Sequence, residues 1–271
     1  MNPDNPVALV LGAIKGIGRG IGLALAQKNV RVALNYYDWE DSLDDLKQTF
    51  SGLEDRYRLF QTDLRSPRHA RELVQKVMAH YGRLDILINN IERGGWPVVH
   101  GPYVESQWDL EMETTLRAKW WICDAAMPFL KASGNGVVIN LSSIAGIVGR
   151  FGPASLIFND GYAAANRAIS SFTETWARVG APEVRVNEIM LGIFQTRHAE
   201  ATRGWGLLTA AQQQAIRDHT LLGRTGTISD VVKSVLFMID DAPFMTGTVM
   251  RLDGGYVLGG ERVQPIPEGV V

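Results

Sequence analysis

The chain carries one cysteine, Cys123, in 271 residues. A single thiol excludes an intramolecular disulfide and every two-cysteine metal motif, and it suits a reducing compartment. Within "WWICDAAM" it reads as a buried structural thiol rather than a nucleophile. No run of Lys or Arg occurs, and 27 basic residues against 29 acidic ones leave a formal net charge of −2. Nucleic acid is therefore a poor partner. No uninterrupted apolar stretch approaches the ~20 residues that span a bilayer, so no membrane partner is expected. The start, "MNPDNPVALVLG", lacks the basic and apolar regions of a secretory signal. No histidine pair has metal-ligand spacing, which argues against a metal. These absences point to a soluble, cytoplasmic protein.

What is present is ordinary globular composition, 46% hydrophobic and 21% charged. Short β-rich runs alternate with longer helical patterns: "VALVL" (7–11), "RVALNY" (31–36), "YRLFQ" (57–61), "LDILIN" (84–89), "GVVINL" (136–141), "VRVNEIM" (184–190) and "GTVMRLD" (247–253). Most are continuously apolar, as strands covered on both faces should be. Helical stretches include 18–28, 66–82 and 229–241, with Ser66-Pro67 and Ser229 as N-caps and Gly82 as a stop. The alternation predicts one α/β domain over residues 1–271, a Rossmann-type doubly wound parallel sheet of about seven strands with helices on both faces. The tail 261–271, with two prolines, reads as an extended arm.

"VALVLGAIKGIGRGIGLALA" places Gly12, Gly16 and Gly18, with Ile17 among them, between the first strand and the first helix. Glycines permit the tight turn and the close approach of backbone to a pyrophosphate, which the helix N-terminus then holds. An acid closing the second strand would bond a ribose 2′-hydroxyl and repel a 2′-phosphate. Asn35-Tyr36 stands there instead, and the nearest acid is Asp38. Lys15 is either a solvated loop charge or a cation that pairs with a 2′-phosphate, and the second reading favours NADP over NAD.

At this point the chain resembles the short-chain dehydrogenase/reductase family, whose glycine pattern G-x-x-x-G-x-G is met by Gly12, Gly16 and Gly18. Further matching pieces run in order across residues 6–258: "TDL" (62–64), "INN" (88–90), "VVINLSSIAG" (137–146), the Tyr162 helix, "RVNEIMLGIFQT" (185–196) and "FMTGTVMRLDGG" (244–255). The resemblance implies that Asp63 bonds adenine with the Leu64 backbone beside it, and that Asn89 and Asn90 line the cofactor cleft. It implies too that the Ile193 backbone and Thr196 meet the nicotinamide carboxamide. Read alone, Asp63 would be a loop cap and Asn89-Asn90 a strand-end turn.

Hydride transfer between nicotinamide and a carbonyl or alcohol carbon needs a proton passed at the oxygen and charge stabilised on it. The resemblance assigns Ser143, the second serine of "NLSS", and Tyr162 to that work, with Ser142 structural. Departures follow. Asn166 stands where the family has lysine, Thr115 where many members have asparagine, and "NNAG" has become "NNIE" with Ile91 and Glu92. "IVGRFGPASLIFNDG", between Ser143 and Tyr162, is longer than usual. A free tyrosine titrates near 10, so it can give a proton at neutral pH but is a poor base. Asn166 can still bond ribose hydroxyls. The pattern therefore predicts a reductase of a small carbonyl or similar polarised double bond with impaired oxidation, and the resemblance implies a homo-oligomer, tetramer or dimer. The alternative is a silent protein of the same fold that only holds a dinucleotide.

Lys119, four residues after Thr115, is either a replacement cation or a surface or subunit-contact lysine. Trp120-Trp121 read as core or subunit interface. Trp205 and, less so, Trp96 are candidates to line a substrate pocket. His198 and His219 read as solvated or helix-end histidines.

Overall fold

The structure, a computed structural model, describes residues 5–91, 104–196, 205–206, 208–260, 263 and 265–269. Glu92, Trp96, His198 and part of the 261–271 arm lie outside the described residues.

The first half runs β1 (Val7–Val10), α1 (Gly16–Gln27), β2 (Arg31–Tyr36), α2 (Leu43–Thr49), β3 (Tyr57–Gln61), α3 (Pro67–Tyr81) and β4 (Ile86–Asn89). Next come α4 (Glu105–Glu111), a π-helical segment (Met112–Arg117) and α5 (Ala118–Ala132), followed by β5 (Gly136–Ser143), α6 (Ala145–Val148) and α7 (Asp160–Gly180). The chain continues through β6 (Val184–Leu191), α8 (Ala210–His219), α9 (Ile228–Asp240) and β7 (Val249–Leu252). The seven strands form one parallel sheet in the order β3-β2-β1-β4-β5-β6-β7. All seven expected strands are present, with β5 and β6 running slightly farther than their apolar runs.

Continuous apolar strands are explained by two covered faces. Val10, Val32, Leu34, Ile86, Ile139 and Ile189 pack under α1, α2 and α9. Leu9, Ala33, Leu87, Val138 and Val186 pack under α3, α5 and α7. Each Val or Leu so enclosed contributes roughly 1.5–3 kcal/mol. Cys123 is buried in the second of these layers, where desolvation pushes its thiol well above the usual range. It is a structural thiol. Trp120 and Trp121 pack edge to face on the same layer, with ring centroids 4.6 Å apart.

Helix ends follow local chemistry. Ser66 caps α3 with Pro67 at its first position, and Gly82 stops it at φ 75°. At α9 the cap differs from expectation: Thr227, not Ser229, starts the helix. Thr227 and Asp230 exchange side-chain and backbone bonds in a reciprocal capping box, which leaves Ser229 inside the first turn.

Candidate active site

Strand order reverses between β1 and β4, and ligands of open α/β sheets bind beyond the carboxyl ends of the strands at that point. The glycine turn lies there. Gly12 has φ +59°, and a Cβ on it would stand 2.4 Å from the Asn90 carbonyl oxygen. A Cβ on Gly18 would stand 2.4 Å from the Gly12 oxygen, so neither position admits a side chain. Asn90 braces the turn, its Nδ2 donating to the carbonyls of Leu11 at 3.3 Å and Gly12 at 3.2 Å. Gly16 and Ile17 open α1, where Lys15 makes no side-chain cap and no acid stands in the first turn. That helix start suits an anion.

Lys15 Nζ lies 3.0 Å from the centroid of the Trp39 ring, and Trp39 adopts the left-handed region at φ 69°. Tyr36 is half-buried against the core layer under α1 and α2, while Asn35 is turned inward onto the carbonyls of Phe60 and Thr62. Asp63 is held by Arg65, whose Nε and Nη2 reach its oxygens at 2.6–3.0 Å. Burial pushes the Asp63 carboxyl up, but the Arg65 bonds and charge prevail and hold it below its ordinary value. Leu64 is buried in the core. Asn89 is fully buried and donates to Asn140 Oδ1 at 2.7 Å, and Asn140 donates to Thr173 at 2.9 Å. Its side chain thus joins an interior polar layer rather than lining the cleft, contrary to expectation. The difference is one of alternation: successive strand residues face opposite ways, and Asn90 alone reaches the turn.

The residues expected at the reacting end come from β5, α7 and the helix before them. Ser142 and Ser143 end β5 and part company. Ser142 donates inward to Glu188 Oε1, whereas Ser143 Oγ accepts from Ala145 N at 3.1 Å. Tyr162 sits in the first turn of α7, 8% exposed, in an apolar cluster with Ile144, Phe158, Met190, Ile193 and Trp205. Asn159 caps that helix by accepting from Tyr162 N at 2.7 Å, and its amide donates to Glu111 Oε1 at 3.1 Å. Glu111 Oε2 in turn accepts from Thr115 at 3.5 Å. Thr115 is fully buried within the π-helical segment, a distortion frequent at functional sites. The long segment before Tyr162 is therefore anchored, and its Ala154 N donates to the Tyr256 hydroxyl at 2.7 Å.

Asn166 is fully buried one turn after Tyr162. Its Nδ2 donates to the Tyr162 carbonyl at 2.9 Å, but its Oδ1 meets no hydrogen-bond donor. An unpaired buried amide oxygen costs roughly 1–3 kcal/mol, so the site is suited to a ligand hydroxyl. Ile193 is 8% exposed with its carbonyl accepting from Gly226 N at 2.8 Å, and Thr196 is 9% exposed just beyond it. His219 ends α8 beside Tyr256, as a helix-end histidine should. Among the described residues no cluster of three His, Cys, Asp or Glu side chains could hold a metal.

Lys119 is not at the surface. It is fully buried, and its Nζ donates to the Leu141 carbonyl at 2.5 Å. Glu188, equally buried on β6, accepts from Ser142 and from Ser170, the latter at 3.2 Å. Burial pushes the Glu188 carboxyl above its ordinary value, and Ser142, Ser170, Lys119 and Thr173 pull against that shift.

Residues 12–257 match the family model described as enoyl-(acyl carrier protein) reductase. The chain belongs to the short-chain dehydrogenase/reductase family of oxidoreductases. A Streptomyces violaceoruber protein named for the ketoacyl reductase 2 of the granaticin polyketide synthase is 33% identical, over 93% of this chain and 96% of its own. The 3-oxoacyl-[acyl-carrier-protein] reductase FabG of Thermotoga maritima is 29% identical, over 95% and 100%. The fold matches that of ElxO, solved with NADP bound, at a TM-score of 0.82 and 23% identity, over 94% of this chain and 99% of ElxO. Against that family frame, sequence reading missed Glu111, Asn159, Arg65 and Glu188. Only Asn159 carried a local signal, an N-cap residue three places before Tyr162. No helix of the described residues is long and apolar enough to cross a membrane.

Proposed function

We propose that this short-chain dehydrogenase/reductase is an NADPH-dependent reductase of a small carbonyl or similarly polarised double bond, formed by one catalytic domain over residues 1–271. Tyr162 gives the proton, Ser143 orients the reacting oxygen, Asn166 bonds a ribose hydroxyl, and Lys15 meets the 2′-phosphate. Thr115 acts through Glu111 and Asn159 on the start of the Tyr162 helix. When bound, NADPH supplies the hydride.

The observation that carries this reading is Asn166, fully buried one turn from Tyr162 with its amide oxygen unpaired. A buried acceptor so placed suits a hydroxyl-bearing ligand lying along the carboxyl ends of β4 and β5. The turn of Gly12, Gly16 and Gly18 fits the pyrophosphate of the same ligand, with Ile17 N–H at the start of α1. The Leu64 backbone and Asp63, which is tied to Arg65, would hold the adenine, and Asn90 supports the turn. Ile193 and Thr196 stand at the carboxamide end. Asn89 steadies the floor from inside rather than touching the cofactor.

Tyr162 needs only to be a neutral phenol to act as an acid, and its enclosure by Phe158, Ile144 and Trp205 keeps competing water away. Ser143 accepts from Ala145 N, which leaves its own proton for the substrate oxygen. The names of the Streptomyces and Thermotoga relatives point to 3-oxoacyl thioesters as first substrates to try. NADPH consumption with acetoacetyl-coenzyme A tests the proposal. Turnover that falls about 10²–10⁴-fold in Tyr162→Phe supports general-acid catalysis. Tight NADPH binding with no turnover on ketones, thioesters or pterins, and no effect of Tyr162→Phe, identifies a dinucleotide-holding protein instead.

A further inference from the structure

We infer that Lys119 is the positioning cation of this site, an ammonium delivered from α5 through the core to the carboxyl end of β5. There it holds the strand that carries Ser143 and sets the potential around Tyr162. The inference rests on the reading of Tyr162 as proton donor.

Lysines are almost never fully buried without a partner, yet Lys119 has no exposed surface. Its Nζ meets the Leu141 carbonyl at 2.5 Å. The ladder explains why that carbonyl needs it. Val137 N donates to Asp85 on the β4 side, and alternation turns Leu141 the same way. Pairing with β4 stops at Asn89 and Asn140, so the Leu141 carbonyl lies past the last rung, two residues before Ser143. An apolar side chain at position 119 would leave it bare. Glu188 on β6 lies within electrostatic reach of Lys119, which opposes the upward push of burial on its carboxyl, and is itself held by Ser142 and Ser170.

Among the described residues, the ionisable groups at this end of the site are Glu111 from α4, Tyr162 on α7, Glu188 from β6 and Lys119 from α5, joined by neutral partners that include Thr115, Ser142, Asn159 and Ser170. Arg167, next to Asn166, lines a surface groove with Ser170, Ser171, Glu174, Met190 and Arg251, so a second cation stands on the outer side of this end. In reduction, with bound NADPH as the hydride donor, the Tyr162 O–H bond breaks, its proton passes to the substrate oxygen, and the phenolate, stabilised by the Lys119 charge, takes back a proton from solvent.

Three proteins test this: Lys119→Met, Lys119→Arg, and Lys119→Met combined with Asn166→Lys. The first readout is tyrosinate absorbance of the cofactor-free protein, taken as the difference from the matching Tyr162→Phe form. The second is the pH profile of acetoacetyl-coenzyme A reduction. Lys119→Met should raise the Tyr162 titration by about one pH unit or more, and lower kcat at least tenfold, about 1.4 kcal/mol. Lys119→Arg should retain most of both, and Asn166→Lys in the Met background should bring the titration back down. An unchanged titration in Lys119→Met overturns the inference, even if Tm falls. If Lys119→Met does not fold, Asn166→Lys in the otherwise native chain decides. With a cation already serving, oxidation of 3-hydroxybutyryl-coenzyme A should rise less than about threefold. A tenfold rise overturns the inference. Full activity in Tyr162→Phe would sink the proton-donor reading alone, since the titration of Lys119→Met still reports on Lys119.

Discussion

The two faces of the sheet solve burial in opposite ways. Under α1, α2 and α9 the layer is dry: Val32, Leu34, Ile86, Ile139 and Ile189 meet Ile21, Leu25, Leu46, Val235 and Met238. The buried Asn187 on that side spends its amide on backbone, accepting from Thr248 N and donating to the Met245 carbonyl. Under α5 and α7, near the carboxyl ends of β4, β5 and β6, the layer turns polar. Asn89, Asn140, Ser142, Glu188, Lys119, Asn166 and Thr173 are all buried there and bond largely to one another. Among the described residues, three of the five buried side-chain atoms without a hydrogen-bond partner lie here, Asn89 Oδ1, Asn166 Oδ1 and Glu188 Oε2, the others being Arg31 Nε and Trp121 Nε1. Dry packing stabilises without regard to chemistry, whereas unpaired buried polar atoms cost stability and are kept where something else uses them.

That contrast can be broken by moving one change across the sheet. Met238→Ala, on α9 over the dry face, should cost about 2–5 kcal/mol of unfolding free energy, while kcat per folded molecule stays unchanged. Denaturant unfolding and active-site-normalised kinetics measure the two separately. A fall in kcat would mean that the dry face also shapes the site. Asn166→Leu, of similar volume on the polar face, should do the reverse. Removing the unpaired amide oxygen together with the one Nδ2 bond to the Tyr162 carbonyl should leave stability within about 1 kcal/mol of the native value. NADPH affinity should weaken roughly tenfold through the lost bond to a ligand hydroxyl. Calorimetry of NADPH binding beside a thermal melt checks this. Destabilisation with unchanged affinity would show that Asn166 is structural.

The same contrast explains what could be read from the chain. The dry face is a matter of pattern, and continuous runs such as "VALVL" and "RVALNY" announce strands covered on both sides. The glycine turn was legible because close backbone approach admits no other residue at Gly12 and Gly18. Side chains of the polar layer were not legible. Lys119, four places after Thr115 in a helix, reads equally well as solvated until the missing rung at Leu141 is seen. Glu188 in "VRVNEIM" looks like a flaw in a strand, because its partners Ser142 and Ser170 lie far along the chain. Asp63 carried no sign that Arg65, two residues on, would fold back over it.

The smallest effect sharpens the account of the dry face at the end of its own helix. Thr227 accepts from Asp230 N at 3.3 Å while Asp230 accepts from Thr227 N at 2.8 Å, so two otherwise bare N–H groups of α9 are satisfied. Thr227→Ala should cost about 1 kcal/mol, and Ser229→Ala, one turn position inside, within about 0.5 kcal/mol. Equal losses would return the cap to Ser229. The pair also gives a pH signature. The Arg224 side chain and the Thr227 backbone bond hold the Asp230 carboxyl well below its ordinary value of 3.8. A lowered folded-state pKa means that the unfolded chain takes up the proton first. The contribution is therefore present above about pH 4 and lost as pH falls further. Because Asp230 is at the surface and screened, that loss should be small. The gap in urea midpoint between native protein and Asp230→Asn should accordingly narrow from pH 6 to pH 3 without closing, and a gap that does not change would show that the cap acts through geometry rather than charge.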